Sequence, residues 1–315
     1  MAVTVAVERR SEAAREAERG KSSWKLGAGD EIVPGRTVVK GVGGGSRYEV
    51  FLVWDEDLYS LAIAKVIRPD QAEGERALRE LGEEAELLER LAHPVIVRGF
   101  DALIEGPRPH LLIEHLEGPS LRDLLRAGGP LSLEQLLPLA MHVAGALVFM
   151  EHRGVVHLDV KPDNIIMGVP PRLIDLSIAR SFERATRTRG VIGTDAYLAP
   201  EQTGVEDREG LMGPPADVWG LGATLHHCIS GHRPFPRERD ARKSADPFIR
   251  FPQLTEDVQP LPRWVPAELA ELIAATLRRH PAERPTTVEV VERLEPLVVD
   301  LPSRLSFSRR GYRPG

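Results

Sequence analysis

Along the first third of the chain, apolar positions come in short runs. Arg36–Val42, Tyr48–Trp54 and Leu61–Ile67 are rich in β-branched and aromatic residues. Such runs predict strands, and the first two flank a glycine cluster that would turn tightly between them, giving an antiparallel meander. The period then changes. Leu78, Leu81, Ala85 and Leu88 recur at spacings of three and four with Glu and Arg between them, which predicts an amphipathic helix. Val95–Val97 and Leu111–Ile113 predict two further short strands. After Gly118 the helical period returns. Ser132 to Gln135 has capping-box spacing, Leu136, Ala140, Val143, Leu147 and Met150 line one face, and Gly154 suits the position just past the helix end. Residues 168–216 are loop-rich. Helical patterning resumes from Val218 to about Leu297, broken by a polar, Pro-rich stretch at 233–263. No internal repeat is visible. The layout is a small β-rich half followed by a larger helical half.

Composition narrows the class. With 315 residues, 42% hydrophobic and 28% charged, the chain can bury a sizeable core as one large domain or two smaller ones. A net charge of −6 argues against a generic nucleic-acid binder. The one cysteine, Cys228, excludes an intrachain disulfide framework and an all-cysteine metal cluster. It fits a small core residue in a predicted helix and a reducing, cytoplasmic setting. The longest apolar stretch, Leu136 to Met150, is interrupted by Pro138 and His142 and falls short of the roughly 20 residues that span a bilayer. Charges follow the short apolar start, Met1 to Val7, so no signal peptide is expected. The Glu-, Arg- and Ala-rich run at 8–20 reads as a solvated helix or disordered arm.

Several segments carry candidate chemistry. Gly41-Val42-Gly43-Gly44-Gly45-Ser46 would let backbone N–H groups approach a phosphate, although a plain glycine-rich hairpin turn uses the same residues. Lys65 ends a mostly apolar strand and Glu84 lies on the next helix; each alone reads as a solvated charge. His157-Leu158-Asp159-Val160-Lys161-Pro162-Asp163-Asn164 is more specific. Asp159 could accept a hydroxyl proton, Lys161 could neutralise a phosphoryl group, and Asn164 could hold a divalent metal. Asp175 follows the apolar Leu173-Ile174 and offers the hard oxygen ligand that Mg²⁺ prefers.

In this order the motifs resemble a eukaryotic-type protein kinase, particularly the bacterial serine/threonine branch. Gly43-x-Gly45-x-x-Tyr48-x-Val50 resembles the phosphate-covering loop. Lys65 matches the strand lysine, and Glu84 its helix partner, with Glu83 the nearest rival. Asp159 matches the catalytic base, and Asn164 and Asp175 the metal ligands. Gly193-Thr194-Asp195-Ala196-Tyr197-Leu198-Ala199-Pro200-Glu201 matches the end of the activation segment. Asp217 to Gly222 resembles the buried helix that anchors the catalytic loop, and Arg284 the arginine that pairs with Glu201. The resemblance spans residues 36–296 and leaves a 35-residue arm (1–35, helical or partly disordered) and a basic tail at 297–315. Neither end is long enough for an ordinary sensor domain.

The resemblance implies an α+β, bilobal fold: a small antiparallel sheet with one main helix (about 36–116) and a larger, mainly helical lobe (about 117–296). It implies transfer of the ATP γ-phosphate to Ser or Thr of a protein substrate with Mg²⁺, for which Mn²⁺ could substitute. Lys65, held by Glu84, would clamp the α and β phosphates under a loop made by Gly43, Gly45 and Ser46. Val50 and Ile63 would roof the adenine, with Ile166 beneath it. Glu114 and Leu116 would offer hinge hydrogen bonds, and Ile113 would guard the back pocket. Thr194 would bridge Asp159 and Lys161, which together with the lysine two residues past the base suits a short acceptor. Four departures stand out: Tyr48 for the third glycine, expected to lie over the phosphates; Ile63 for a small roof residue; Leu158 for the arginine before the base; and Leu176-Ser177 after Asp175. They raise the alternative of a pseudokinase, a nucleotide-binding or scaffolding module. A small-molecule phosphotransferase is a weaker alternative, because the Ala199-Pro200-Glu201 segment points to a protein substrate. Thr186, Thr188, Ser306 and Ser308 are candidate autophosphorylation sites beside arginines.

Overall fold

The computed structural model describes residues 22–205, 212–236 and 240–301. The small lobe opens with β1 (Glu31–Val33), β2 (Arg36–Gly44), β3 (Tyr48–Asp55) and β4 (Ser60–Ile67). Helix α1 (Glu75–Arg90) follows, and β5 (Gly99–Leu103) and β6 (His110–Glu114) complete an antiparallel sheet in the order β1-β2-β3-β4-β6-β5. The period-2 pattern of β4 sorts its residues by face. Ala62, Ala64 and Val66 join Phe51 and Val53 in a core on the outer face. Ile63 and Lys65 therefore point the other way, to the face that α1 covers.

Two expectations for this lobe need correction. The arm was expected to end at residue 35, but the folded unit begins earlier. Trp24 and Leu26 pack on the outer core, and β1 pairs with β2 through Glu31↔Thr37. The run at 8–20 lies outside the described residues. Val95–Val97 is not a strand. Ile96 makes an isolated parallel bridge to Leu173, and all three side chains are buried. The segment passes between the lobes and is enclosed on every side, so its continuous apolar run reflects burial rather than pleating.

The large lobe contains α2 (Leu121–Gly128), α3 (Leu133–His152), β7 (Val155–Val156), β8 (Ile165–Ile166), β9 (Arg172–Leu173), β10 (Arg180–Ser181) and α4 (Phe182–Thr186). It continues with α5 (Pro214–Ser230), α6 (Pro247–Arg250), α7 (Ala267–Thr276) and α8 (Thr287–Val299). At the start of α3, Gln135 Oε1 accepts from the Ser132 N–H at 3.2 Å, and past its end Gly154 has φ +68°. Helix α3 is 20 residues long, and an 18-residue window of it has a mean hydropathy of 1.5, enough by length and composition to cross a membrane. The sequence had suggested a shorter apolar stretch. Here the helix is a core element: Leu136, Ala140, Val143, Leu147 and Met150 are all buried. Helix α5 packs so tightly on α7 that a Cβ at Gly222 would lie 1.9 Å from Thr276 Oγ1. The expected boundary at 296 falls inside α8, where Leu297 and Val298 still pack on the core. Residues 302–315, with Ser306 and Ser308, lie outside the described residues.

Candidate active site

The small lobe contributes a charged triad. Lys65 Nζ donates to both Glu84 carboxylate oxygens, at 2.6 and 2.9 Å, and to Asp175 Oδ1 at 3.2 Å. Helical spacing separates the two candidate glutamates. Glu84 faces the sheet, whereas Glu83 faces out and pairs with Arg184 of α4. Burial alone would lower the Lys65 pKa, but the charges of Glu84 and Asp175 overcome it and hold the ammonium well above its ordinary value. Burial likewise opposes ionisation of Asp175, yet Lys65 keeps that carboxyl well below the usual range.

Tyr48 is buried rather than exposed at the rim of the glycine turn. Strand period puts it on the α1 side of β3, where it is buried in a cluster with Ile67, Ala77 and Leu81. Lys65 Nζ stands 5.0 Å from its ring centroid. The glycine turn itself closes with Gly45 N–H donating to Tyr48 O at 2.9 Å, leaving Gly43, Gly45 and Ser46 along its rim.

The large lobe contributes the Asp159 loop. Asp217, near the start of α5, accepts from the N–H groups of His157 and Leu158, both at 2.7 Å, and fixes the loop from below. Leu158 adopts φ +64° and is buried. The expected arginine position is therefore an apolar slot. Asp159 Oδ2 accepts from Asn164 Nδ2 at 2.9 Å and from Lys161 Nζ, and Lys161 also donates to Thr194 Oγ1. Asp159 Oδ1 is buried with no hydrogen-bond partner. A buried acceptor without a donor costs free energy, so this oxygen is aimed at something that brings a hydrogen.

Asn164 O accepts from Ile174 N–H at 2.8 Å, which joins this loop to the β8–β9 hairpin carrying Asp175. Asp175 itself has φ +68°. Both amide hydrogens of Asn164 can be used on Asp159, at 3.0 Å to its carbonyl and 2.9 Å to Oδ2, which leaves the amide oxygen as a ligand. That oxygen and the Asp175 carboxylate make a hard donor pair suited to a divalent cation. Among the described residues no cluster of three His, Cys, Asp or Glu could hold a metal by itself. The pair therefore fits a cation completed by phosphate oxygens and water, which is how Mg²⁺ is usually held.

Val50 and Ile63 are half-buried on the inner face of the sheet, and half-buried Ile166 of β8 belongs to the opposite lobe. Glu114 commits its N–H to Arg98 O at 2.9 Å, which leaves at most its backbone carbonyl for a ligand, and its side chain pairs with Arg172 at 3.3 Å. Leu116 follows in the extended connection between the lobes, partly buried against the core.

Several supporting contacts are not marked in the sequence. Gln202 Nε2 donates to Leu158 O at 2.8 Å and Ile192 O at 3.0 Å, tying the activation segment to the catalytic loop. Gly193 has φ +109°, and a Cβ there would meet Leu158 O at 2.9 Å, so the segment crosses the loop only with glycine at that point. Tyr197 Oη lies 2.7 Å from His227 Nδ1. The run Gly193–Glu201 matches the end of the activation segment, but nothing in it marks these contacts, and Gln202 lies just beyond it. Arg284, expected opposite Glu201, meets it with Nη1 and Nη2 at 2.7 and 2.8 Å.

The site thus combines a lysine ion-paired to Glu84 and Asp175, a loop-borne carboxylate with one unpartnered oxygen, and an Asn164 amide tied to that loop. The protein kinase domain family model matches residues 36–294, and the chain belongs to that family. It is 33% identical over 230 residues to the serine/threonine-protein kinase PknL of Mycobacterium tuberculosis, covering 70% of this chain and 54% of that protein. It is 32% identical over 203 residues to serine/threonine-protein kinase PknB of Mycobacterium leprae, covering 62% of this chain and 32% of that one. PknB of Mycolicibacterium smegmatis is 29% identical over 256 residues, or 77% of this chain and 39% of that protein. The chain thus spans between a third and about half the length of these relatives.

Proposed function

We propose that the chain is an ATP-dependent serine/threonine protein kinase, using Mg²⁺ or in its place Mn²⁺. The observation that carries this reading is Asp159 Oδ1, buried and unpartnered beside Lys161 and Asn164. In the proposed reaction the acceptor hydroxyl donates to Oδ1, which aligns its oxygen and receives the proton as the new bond forms. Lys65 is held rigid by Glu84 and would bind the α and β phosphate oxygens. Lys161, oriented by Thr194, would offset charge on the group in flight. The cation, held by Asn164 and Asp175, would neutralise charge on the phosphates. Most of the catalytic effect comes from this positioning and charge. Gly43, Gly45 and Ser46 would cover the phosphates. Val50, Ile63 and Ile166 would enclose the adenine, with Glu114 and Leu116 as its hinge partners. The Lys161–Thr194 contact beside the base favours a short acceptor side chain, Ser or Thr. The buried, unpaired Cys228 supports a cytoplasmic placement of this domain.

The test is phosphate transfer from labelled ATP to a generic protein substrate with Mg²⁺, beside Asp159→Asn and Lys65→Met. We expect transfer by the wild-type chain and loss of at least a hundredfold in each variant. Equal signal in all three would refute the assigned roles. Nucleotide binding without transfer in any of them would favour a pseudokinase. Phosphotyrosine as the product would refute the Ser/Thr preference.

A further inference from the structure

The outer side of the small lobe holds a buried cation that no catalytic step uses. Arg68, at the end of β4, is 1% exposed. Its Nε donates to Gly45 O at 2.8 Å and its Nη1 to Ser22 O at 2.9 Å. Its backbone N–H donates to Arg47 O at 2.9 Å, and Gln71 Nε2 donates to Ser46 O at 3.0 Å. Three consecutive carbonyls of the glycine-rich turn are thus held by the Arg68–Gln71 segment. In a trans peptide the C=O and the following N–H point in opposite directions. Drawing Gly45 O toward Arg68 on the outer face therefore turns the Ser46 N–H toward the cleft.

The guanidinium is itself held from the other side. Glu49 Oε1 lies 3.9 Å from Arg68 Nη1. Glu49 also accepts from Ser23 Oγ at 2.6 Å and from Trp24 N–H at 3.0 Å. The Trp24 indole N–H donates to Ile67 O at 2.7 Å, one residue before Arg68. Ser22–Leu26 forms a clasp that meets Arg68 directly through Ser22 and holds its neighbours Glu49 and Ile67 through Ser23 and Trp24. A buried guanidinium is costly unless its donors are met, and its planar fork can bond two segments at once where a lysine ammonium bonds as a point.

We propose that Arg68 is a positioning residue for the nucleotide phosphates, with the Ser22–Leu26 clasp locking it and the glycine-rich turn in place. This rests on the kinase reading and adds to it a specific source of phosphate affinity outside the cleft. The test uses the full chain and calorimetric binding of ATP with Mg²⁺ and of adenosine, which has the base and ribose but no phosphates. It adds KM and kcat for ATP. For Arg68→Lys we expect about tenfold weaker ATP binding, a matching rise in KM, kcat within about twofold, and unchanged adenosine binding. Trp24→Ala should move the same quantities in the same direction by less. Gln71→Leu removes only an exposed bond, so it tests the split even if Arg68→Lys fails to fold, with an expected loss of about threefold for ATP alone. Equal weakening of ATP and adenosine, or no change in ATP binding in the folded variants, overturns the proposal. A wild-type chain that binds ATP no better than adenosine overturns the kinase reading, and this proposal with it.

Discussion

Replacing Arg284 by alanine should be among the most damaging single changes available far from the cleft. The guanidinium uses every donor it has. Nη1 bonds Glu201 Oε1 and Pro215 O at 2.7 and 2.8 Å, and Nη2 bonds Glu201 Oε2 and Arg279 O at 2.8 and 3.1 Å. Nε bonds Arg278 O at 2.8 Å, and the plane lies 4.9 Å from the Trp219 ring centroid. The pair has no solvent-exposed side-chain surface on either partner. Truncation would leave the Glu201 carboxylate buried without a counter-charge and orphan three carbonyls. Breaking such a pair from one side costs about 3–5 kcal/mol. For a domain of this size that lowers the melting temperature by roughly 10 °C. Equilibrium urea unfolding of Arg284→Ala, Glu201→Leu and Arg284→Ala/Glu201→Leu would form a double-mutant cycle. The double variant should be more stable than Arg284→Ala, because no charge is left unpaired. A loss below about 1 kcal/mol in Arg284→Ala, or a double variant equal to the sum of the singles, would refute the reasoning.

Further predictions concern the activation segment and pH. Leu158 fills the slot of the missing arginine, and the segment is already held by Arg180 donating to Thr188 Oγ1 at 2.8 Å and by Arg184 on Glu83. Phosphatase treatment should therefore leave activity intact, and abolition of activity would show that a phosphate is needed. Gly193→Ala should cut kcat by at least tenfold, since the added Cβ would press on Leu158 O beside Asp159; an unchanged kcat would contradict the close crossing. Burial, aided by Arg233, pushes His227 down to about 4. The unfolded chain then binds the extra proton between about pH 4 and 6.5, so stability should fall as pH drops through that window. Discounted for partial exposure, the effect is about 1–2 kcal/mol. His227→Gln should flatten the melting-temperature profile over that range, and an unchanged profile would assign the titration elsewhere.

What could be read from the sequence follows from where the signals are local. The β2–β4 runs and the α1 stripe declared themselves by period, and Lys65, Asp159, Asn164 and Asp175 by their order along the chain. The direction of Tyr48 was also legible in principle. It lies two residues from Val50, on the same face of β3, and that face packs on α1. The expectation followed the family position, where a glycine covers the phosphates, rather than the strand that begins at Tyr48. Residues 22–33 carry no comparable signal, since Trp24 and β1 are too short to show a period. Their partners, Glu49, Ile67 and Arg68, lie tens of residues away. Gln202 and His227 are likewise ordinary polar residues until the tertiary fold brings a carbonyl or a hydroxyl to them.

The short β1 strand bears on how this domain can be handled as a fragment. The family match begins at Arg36 and ends at residue 294. A piece cut to those limits would lack β1 and the Trp24 cover, and would sever α8 before its last turn. Strand β2 would then become a bare sheet edge with a row of unsatisfied N–H and C=O groups and an uncovered apolar patch at Ile32's former neighbours, Val38 and Phe51. Such an edge recruits other chains. The shortened piece should associate and precipitate where one starting at residue 22 or earlier and continuing past Leu301 stays dispersed.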